Sequence, residues 1–486
     1  MRLFIAMMLA ASIAVSATAQ TKAKAARPTA KAAPKTAVNA PNVEVTTTSD
    51  AARKTYTEAT VLAENLRTTE ALEKYRTAVR QDPNLALAWA QIARITKDPK
   101  EEGGARLKAK SLVAKVSPGE ALLVKWVVAR NDNNSVAAIA AMNDLHALYP
   151  TDPHLGFLFG QWLQSQQGNE RAAQILEDSI KANPDYAPLY NELGYAYSAL
   201  GQHDKGISTM KRYVELLPSE PNPHDSYAEL NRLAGHYDEA LKHYREALKI
   251  MPSFTSSQLG IADTYALMGD QERARTEYDK AIAEESGERE KLDYKFQRAI
   301  TYIRAKDFAG AEKAFTELSQ AADKAGFADL ESECHRAIAS VLQDRNAALA
   351  HMNEAEKALS HPHQTPASVL QQQLSRVLRT EAIIAQAAGK TQLASSSLKR
   401  LETMATSNRD AIVQASYHGA KGGVLFAQKK YAAAAEELAD DPGNALSQAR
   451  LAEAYAQLGN QAEAQAERDR LANQHRVLLE DAIVHL

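Results

Sequence analysis

At 486 residues the chain is longer than one ordinary hydrophobic core serves. It is 45% hydrophobic but only 6% aromatic, a balance that favours many small helix–helix contacts over one large centre. The formal charge is −3 overall and −7 over residues 51–486, where 51 basic and 58 acidic residues stand, which excludes a nucleic-acid binder built on clustered Lys and Arg.

Residues 1–19 predict a secretory signal peptide. Met1-Arg2 opens it, Leu3–Val15 is its apolar core, and Ala17-Thr18-Ala19 sets cleavage before Gln20. The apolar run falls short of the ~20 residues of a spanning helix, so an uncleaved anchor is the lesser alternative. No later stretch is long and apolar enough to cross a membrane, so the mature chain is expected to have no integral span. Residues 20–50 are rich in Ala, Lys, Pro and Thr, with five basic residues against Glu44 and Asp50, and predict a disordered tether.

From Ala52 onward, small and large apolar residues recur at steps of three and four. Units begin near Ala52, Ala86, Gly119 and Pro153. The second is looser, with an insertion-like turn from Lys97 to Gly104. The pattern is sharpest over Ala187–Glu288. There Leu193-Gly194, Tyr197, Gly201, Gly206, Met210, Tyr213 and Pro218 are followed 34 residues later by Ala228, Gly235, Ala240, Tyr244, Ala247 and Pro252. A third round gives Ala262, Gly269, Ala274, Tyr278 and Ala281. Small residues mark close helix approach, glycines suit left-handed helix ends, and the prolines stop the second helix. Each unit is a helical hairpin that buries its apolar face only by stacking on the next.

These positions resemble the tetratricopeptide repeat, whose pattern is W-x2-L-G-x2-Y, then A-x3-F, then P. The resemblance implies an all-α solenoid, a right-handed superhelix of roughly twelve hairpins. Residues 52–321 read as its regular array and 322–408 as irregular hairpins around the joint at His361–Pro366. Residues 409–486 read as closing hairpins, with Gln474–Leu486 as a terminal capping helix. Cys334, the single cysteine, excludes an internal disulfide and reads as a small buried residue of a helix.

The sequence has no metalloprotease, phosphate-loop or nucleophile-elbow motif. His361 and His363 do not fill a metal's coordination shell. No catalytic residue, metal or cofactor is therefore expected. In this family the first helix of each hairpin lines the concave side, and its residues outside the core step are the candidate partner-binding set. They are His154, Phe157, Gln161, Asn191, Tyr195, Asp225, Glu229, Arg232 and Asp263. Phe157 and Tyr195 would offer aromatic contact. Asp225, Glu229 and Asp263 would form an acidic row suited to a basic protein segment, and changing them should leave folding untouched. These acids stand where the family's carboxylate clamp needs basic groups, which argues against that clamp. The expected function is an exported scaffold that binds protein or peptide partners in the periplasm or cell envelope of a Gram-negative bacterium. The alternative is an enzyme, or an enzyme-completing subunit, with its site in 322–408.

Overall fold

The computed structural model describes residues 42–486, apart from 66, 133, 167, 362, 364, 408 and 409. The signal peptide and all but the end of the tether lie outside the described residues. Helices begin where the sequence offers caps. The side chains of Ser49, Asp98, Ser117, Asp152, Asp307 and Asp410 each accept a backbone N–H of the first turn. In the sharpest stretch the first helices end at Gly201, Gly235 and Gly269, with φ of 73°, 80° and 86°. Gly201 N–H donates to Ser198 O at 3.0 Å and Gln202 N–H to Tyr197 O at 2.8 Å, which closes the turn. Lys306 and Lys429 take the same left-handed conformation, φ 58° and 59°, at the equivalent place in two later hairpins.

The described residues divide into two compact units, 42–218 and 219–486. The first, described from residue 42, holds five hairpins: α1 (Asp50–Glu64) with α2 (Thr68–Gln81), α3 (Ala86–Ile95) with α4 (Pro99–Leu112), α5 (Pro118–Asn131) with α6 (Ser135–Leu148), α7 (Pro153–Ser165) with α8 (Asn169–Ala182), and α9 (Ala187–Ala199) with α10 (His203–Leu216). One continuous core runs through it from Ala52 to Ala196. Trp126 is fully buried, with Phe159 and Trp162 edge-on at 5.4 and 6.0 Å.

The second unit holds seven hairpins. They are α11 (Pro221–Leu233) with α12 (Tyr237–Ile250), α13 (Thr255–Leu267) with α14 (Gln271–Glu284), α15 (Glu288–Arg304) with α16 (Phe308–Ala325), α17 (Ala328–Val341) with α18 (Arg345–Ala358), α19 (Ala367–Ala387) with α20 (Thr391–Ser407), α21 (Ala411–Ala427) with α22 (Tyr431–Leu438), and α23 (Ala445–Gln457) with α24 (Gln461–Ala472). A five-residue helix, α25 (Leu479–Ile483), follows. The total of twelve hairpins matches the expected number. The core of this unit is divided among local clusters between neighbouring hairpins, as nearest-neighbour stacking requires. No strand occurs among the described residues, and no helix among them is long and apolar enough to cross a membrane.

The repeat works by pairing a small residue on the first helix with a large one on the second. A Cβ on Gly194 would lie 2.8 Å from Met210, and Ala228 with Tyr244 and Ala262 with Tyr278 are all buried at the same spacing. The drift after Glu288 has a simple cause. The helices of the sharpest stretch have 13 and 14 residues, whereas α15, α16 and α19 have 17, 18 and 21. Lengthening by a turn or two breaks the 34-residue count while leaving the hairpins intact. Within 322–408, α17 and α18 keep 14 residues while α19 and α20 have 21 and 17, so the helices still pair as hairpins there as their lengths change.

Both ends of the described chain depart from expectation. Residues 43–47 form no regular element and are fastened to the first unit, although the sequence reading places them in a disordered tether. Residues 474–486, expected as one capping helix on the last hairpin, instead run without regular structure to Leu478 before α25. That short helix packs against α15, α17 and α23, which belong to three different hairpins.

Candidate functional site

The first helices carry the candidate side chains, and a first helix is packed on more than one side, so many of its polar residues are buried. In the first unit, His154 Nδ1 lies 2.6 Å from Glu64 Oε1, and Tyr186 OH donates to the same carboxylate at 2.6 Å. Gln161 and Gln164 bond Glu192, the latter at 3.1 Å, and Asn191 beside it is 4% exposed. Burial pushes the Glu192 carboxyl up to about 7 against the pull of these amides. Tyr195 is half-buried. Phe157 is 2% exposed and belongs to the core, so the expected aromatic contact is corrected at that residue.

The second unit changes the reading of the acidic row. Asp225 accepts from Ser257 Oγ at 2.7 Å, and Asp263 from Tyr278 OH at 2.6 Å. Arg232 lies among the acids, 3.4 Å from Glu229 and 3.9 Å from Asp263. Asp225, Glu229 and Arg232 are all buried. Each carboxylate therefore already has a partner within the chain, and a basic partner would have to compete with those bonds to reach them. The expectation that these positions tolerate change without cost to folding is corrected for the same reason. Glu229, Arg232 and Asp263 lie together while Asp225 bonds Ser257, and the spacing gave no sign that Arg232 joins the acids.

What the first helices hold in this structure is the chain itself. In the first unit, Val43 N–H donates to Asp152 Oδ2 at 2.8 Å and Thr46 N–H to Glu120 Oε2 at 2.8 Å, while Thr47 Oγ1 reaches Asp82 at 2.5 Å. Asp152 and Glu120 lie at the starts of α7 and α5, and Asp82 at the end of α2. In the second unit, Arg232 Nη1 donates to His475 O at 3.4 Å, and Arg304 Nη2 to Arg476 O at 2.9 Å. Tyr237 OH meets His475 Nδ1 at 2.7 Å, and Arg336 Nη1 donates to Glu480 at 2.8 Å. Burial raises the Glu480 carboxyl, but Arg336 outweighs it and holds the pKa down at about 2. The only sequence signal for this docking was negative: residues 474–486 lack the repeat pattern.

Charged groups also converge within and beside 322–408. Arg289 makes paired bonds to Asp329 at 3.0 and 2.8 Å and lies 3.0 Å from Asp293, and Thr365 donates to Asp329 at 2.8 Å. These bonds tie α15, α17 and the loop after α18 together. His361 lies 3.1 Å from Glu331 and 3.4 Å from Asp323, a trio whose ligand atoms fall within 4.8 Å of one another. Those atoms already partner one another, Asp323 and His363 are exposed, and two acids with one histidine do not by themselves specify an ion. Cys334 is buried, and burial pushes its thiol well up, as a small core residue requires.

Paired helices, a small-to-large contact within each hairpin and first helices that grip non-helical chain define an all-α helical-hairpin repeat protein. Residues 175–207 and 232–292 each match a family described as tetratricopeptide repeat, so the chain carries tetratricopeptide repeats over those residues. A curated relative, the TPR repeat-containing protein YpiA of Bacillus subtilis (strain 168), is 23% identical over 154 residues. The match covers 30% of this chain and 35% of that protein, so the chain spans about a third of the relative's length. Among solved structures, MamA is similar at 17% identity and TM-score 0.31, over 34% of this chain and 91% of the other. A thermophilic TPR protein in Thermus thermophilus matches at 22% identity and TM-score 0.29, over 44% and 98%. A tetratricopeptide repeat protein from Parabacteroides merdae matches at 14% and 0.36, over 59% and 99%. A repeat of this class is a scaffold for protein–protein interaction.

Proposed function

We propose that the chain is an exported scaffold of the bacterial cell envelope that binds extended or partly helical protein segments along its first helices. One observation carries this reading. In each unit, first-helix residues or the helix ends beside them grip a non-helical piece of the chain through its backbone, at Val43 and Thr46 in one and at His475 and Arg476 in the other. Backbone grip of that kind is indifferent to side-chain identity and suits a protein that handles other chains. The export half of the proposal rests on Met1–Ala19 and the Ala17-Thr18-Ala19 ending. A preference for basic partners is not carried forward, because Arg232 already fills that role.

Two measurements test the proposal. Mass spectrometry of the periplasmic fraction should find Gln20 as the first residue, and an intact Met1 in the membrane fraction would refute cleavage. The mature chain, cross-linked in envelope extract, should retain a discrete protein whose capture resists salt but falls when Arg304 is changed to Ala. Capture that is insensitive to every first-helix substitution would place binding elsewhere.

A further inference from the structure

The geometry points to a receptor site on the first helices of the second unit for an acidic, leucine-bearing segment of another protein, kept closed by residues 474–486 of the chain itself. The inference rests on the scaffold reading and adds the partner's chemistry and the device that holds the site shut.

Residues 474–486 sit as a ligand sits. They have no hairpin partner, and they touch helices drawn from hairpins far apart in sequence: Arg232 on α11, Arg304 on α15, Arg336 on α17 and Gln448 on α23. The contacts are of two kinds. Arg232 and Arg304 take the carbonyls of His475 and Arg476, which any extended chain would offer. Arg336 takes the carboxylate of Glu480, while Leu479 and Ala482 enter the apolar cluster that holds Phe296, Ile303 and Ile338. That second set reads a sequence: an apolar anchor next to an acid, with another apolar residue one turn on. Arginines on three first helices face this segment; Glu229 and Asp263 share Arg232 and Glu333 shares Arg336, so the charge that favours an acidic occupant is that of Arg304, which makes no ion pair with these helices among the described residues.

The chain's own segment fits imperfectly. Arg304 Nε is buried without an acceptor among the described residues, and Asp481 Oδ2 is buried without a donor among them. A partner that offers a carboxylate to Arg304 Nε would satisfy what this tail leaves unmet. The tail's helix is also only five residues long, too short to be stable by itself. It holds its place because it is tethered at Asn473, which gives it an effective concentration of about 1 mM.

The experiment uses a fluorescein-labelled synthetic peptide with the sequence of residues 474–486 and the full mature chain. Against a peptide affinity of about 10 μM, the tethered tail should weaken apparent binding about a hundredfold. Leu479→Asp, which unseats the tail's anchor, should restore that hundredfold, and adding Arg336→Ala should remove the gain. A chain ending at Asn473 should match Leu479→Asp. Circular dichroism and thermal melting establish that each variant is folded, and the point variant carries the test should the truncated chain not fold. A folded Leu479→Asp chain that binds the peptide no better than the full chain, or binds a scrambled peptide equally, overturns the proposal. So does light scattering that finds the full chain dimeric and Leu479→Asp monomeric, since the tails would then be exchanged between copies. A partner captured in envelope extract whose retention ignores both Leu479→Asp and Arg336→Ala sinks this proposal and leaves the scaffold reading standing. Peptide binding that follows the variants while the bait retains nothing supports the receptor and counts against the envelope scaffold.

Discussion

At the scale of single residues, two positions show how the repeat bends its own rules. Lys429 closes the turn between α21 and α22 at φ 59°, where the hairpins of the sharpest stretch use glycine, and its side chain is exposed. A left-handed L-residue costs about 1–2 kcal/mol, part of which glycine returns through its freer unfolded state. Lys429→Gly should therefore stabilise the second unit by about 0.5–1 kcal/mol, read as a higher urea midpoint with the slope unchanged. Glu192 strains the rule that buried charge is matched by opposite charge, since amides alone surround it. Its pKa of about 7 lies above the ordinary carboxyl value of 4.5, so the fold binds a proton that the unfolded chain releases. Its contribution is full below about pH 4.5 and is lost as pH rises through 7. Glu192→Gln should remove that slope, so the two proteins should diverge by about 3 kcal/mol between pH 4 and pH 8 in parallel denaturation series.

At the scale of the element, the hairpin is the unit that a mutation damages. Ala240 is fully buried in the cluster that holds Ala228, Tyr244, Ala262 and Tyr278. Ala240→Leu should overpack that contact and cost about 1–3 kcal/mol, with protease cuts appearing first in α11–α14 and only later in α19–α24. Cleavage spread evenly along the unit would mean that its hairpins melt together. Elements of this kind were legible in the sequence because their signals are local: Gly201, Gly235 and Gly269 end first helices, and the small-to-large pair Ala228 and Tyr244 recurs as Ala262 and Tyr278 one 34-residue step on. The docked segments at 43–47 and 474–486 were not legible. Their partners lie far along the chain, as with Thr46 and Glu120 or Arg336 and Glu480, and no periodicity records a single long-range contact. The candidate site was half legible. The step relates Glu229 to Asp263, which share Arg232, but whether a carboxylate faces solvent or an arginine depends on burial, which spacing does not encode. Phe157 failed similarly, because a helix packed on several sides has little outward face left.

At the scale of the whole molecule, an open stack should unfold by fraying from its ends, but the second unit has its last residues laid across its earlier hairpins. Deleting residues 474–486 should lower and broaden the thermal transition assigned to that unit, with hydrogen exchange rising in α15 and α17 as well as at the end of the chain. Exchange confined to α23 and α24 would mean that the segment serves only the end of the stack. The same placement sets an order in time. A chain is made from its first residue to its last, so Arg232, Arg304 and Arg336 are synthesised and packed before His475, Arg476 and Glu480 exist to meet them. On the receptor reading proposed above, a client present before residues 474–486 join the face meets no internal competitor, and one that arrives later must evict it. Early and late loading would then be kinetically different events, with the docking of those residues setting the interval between them.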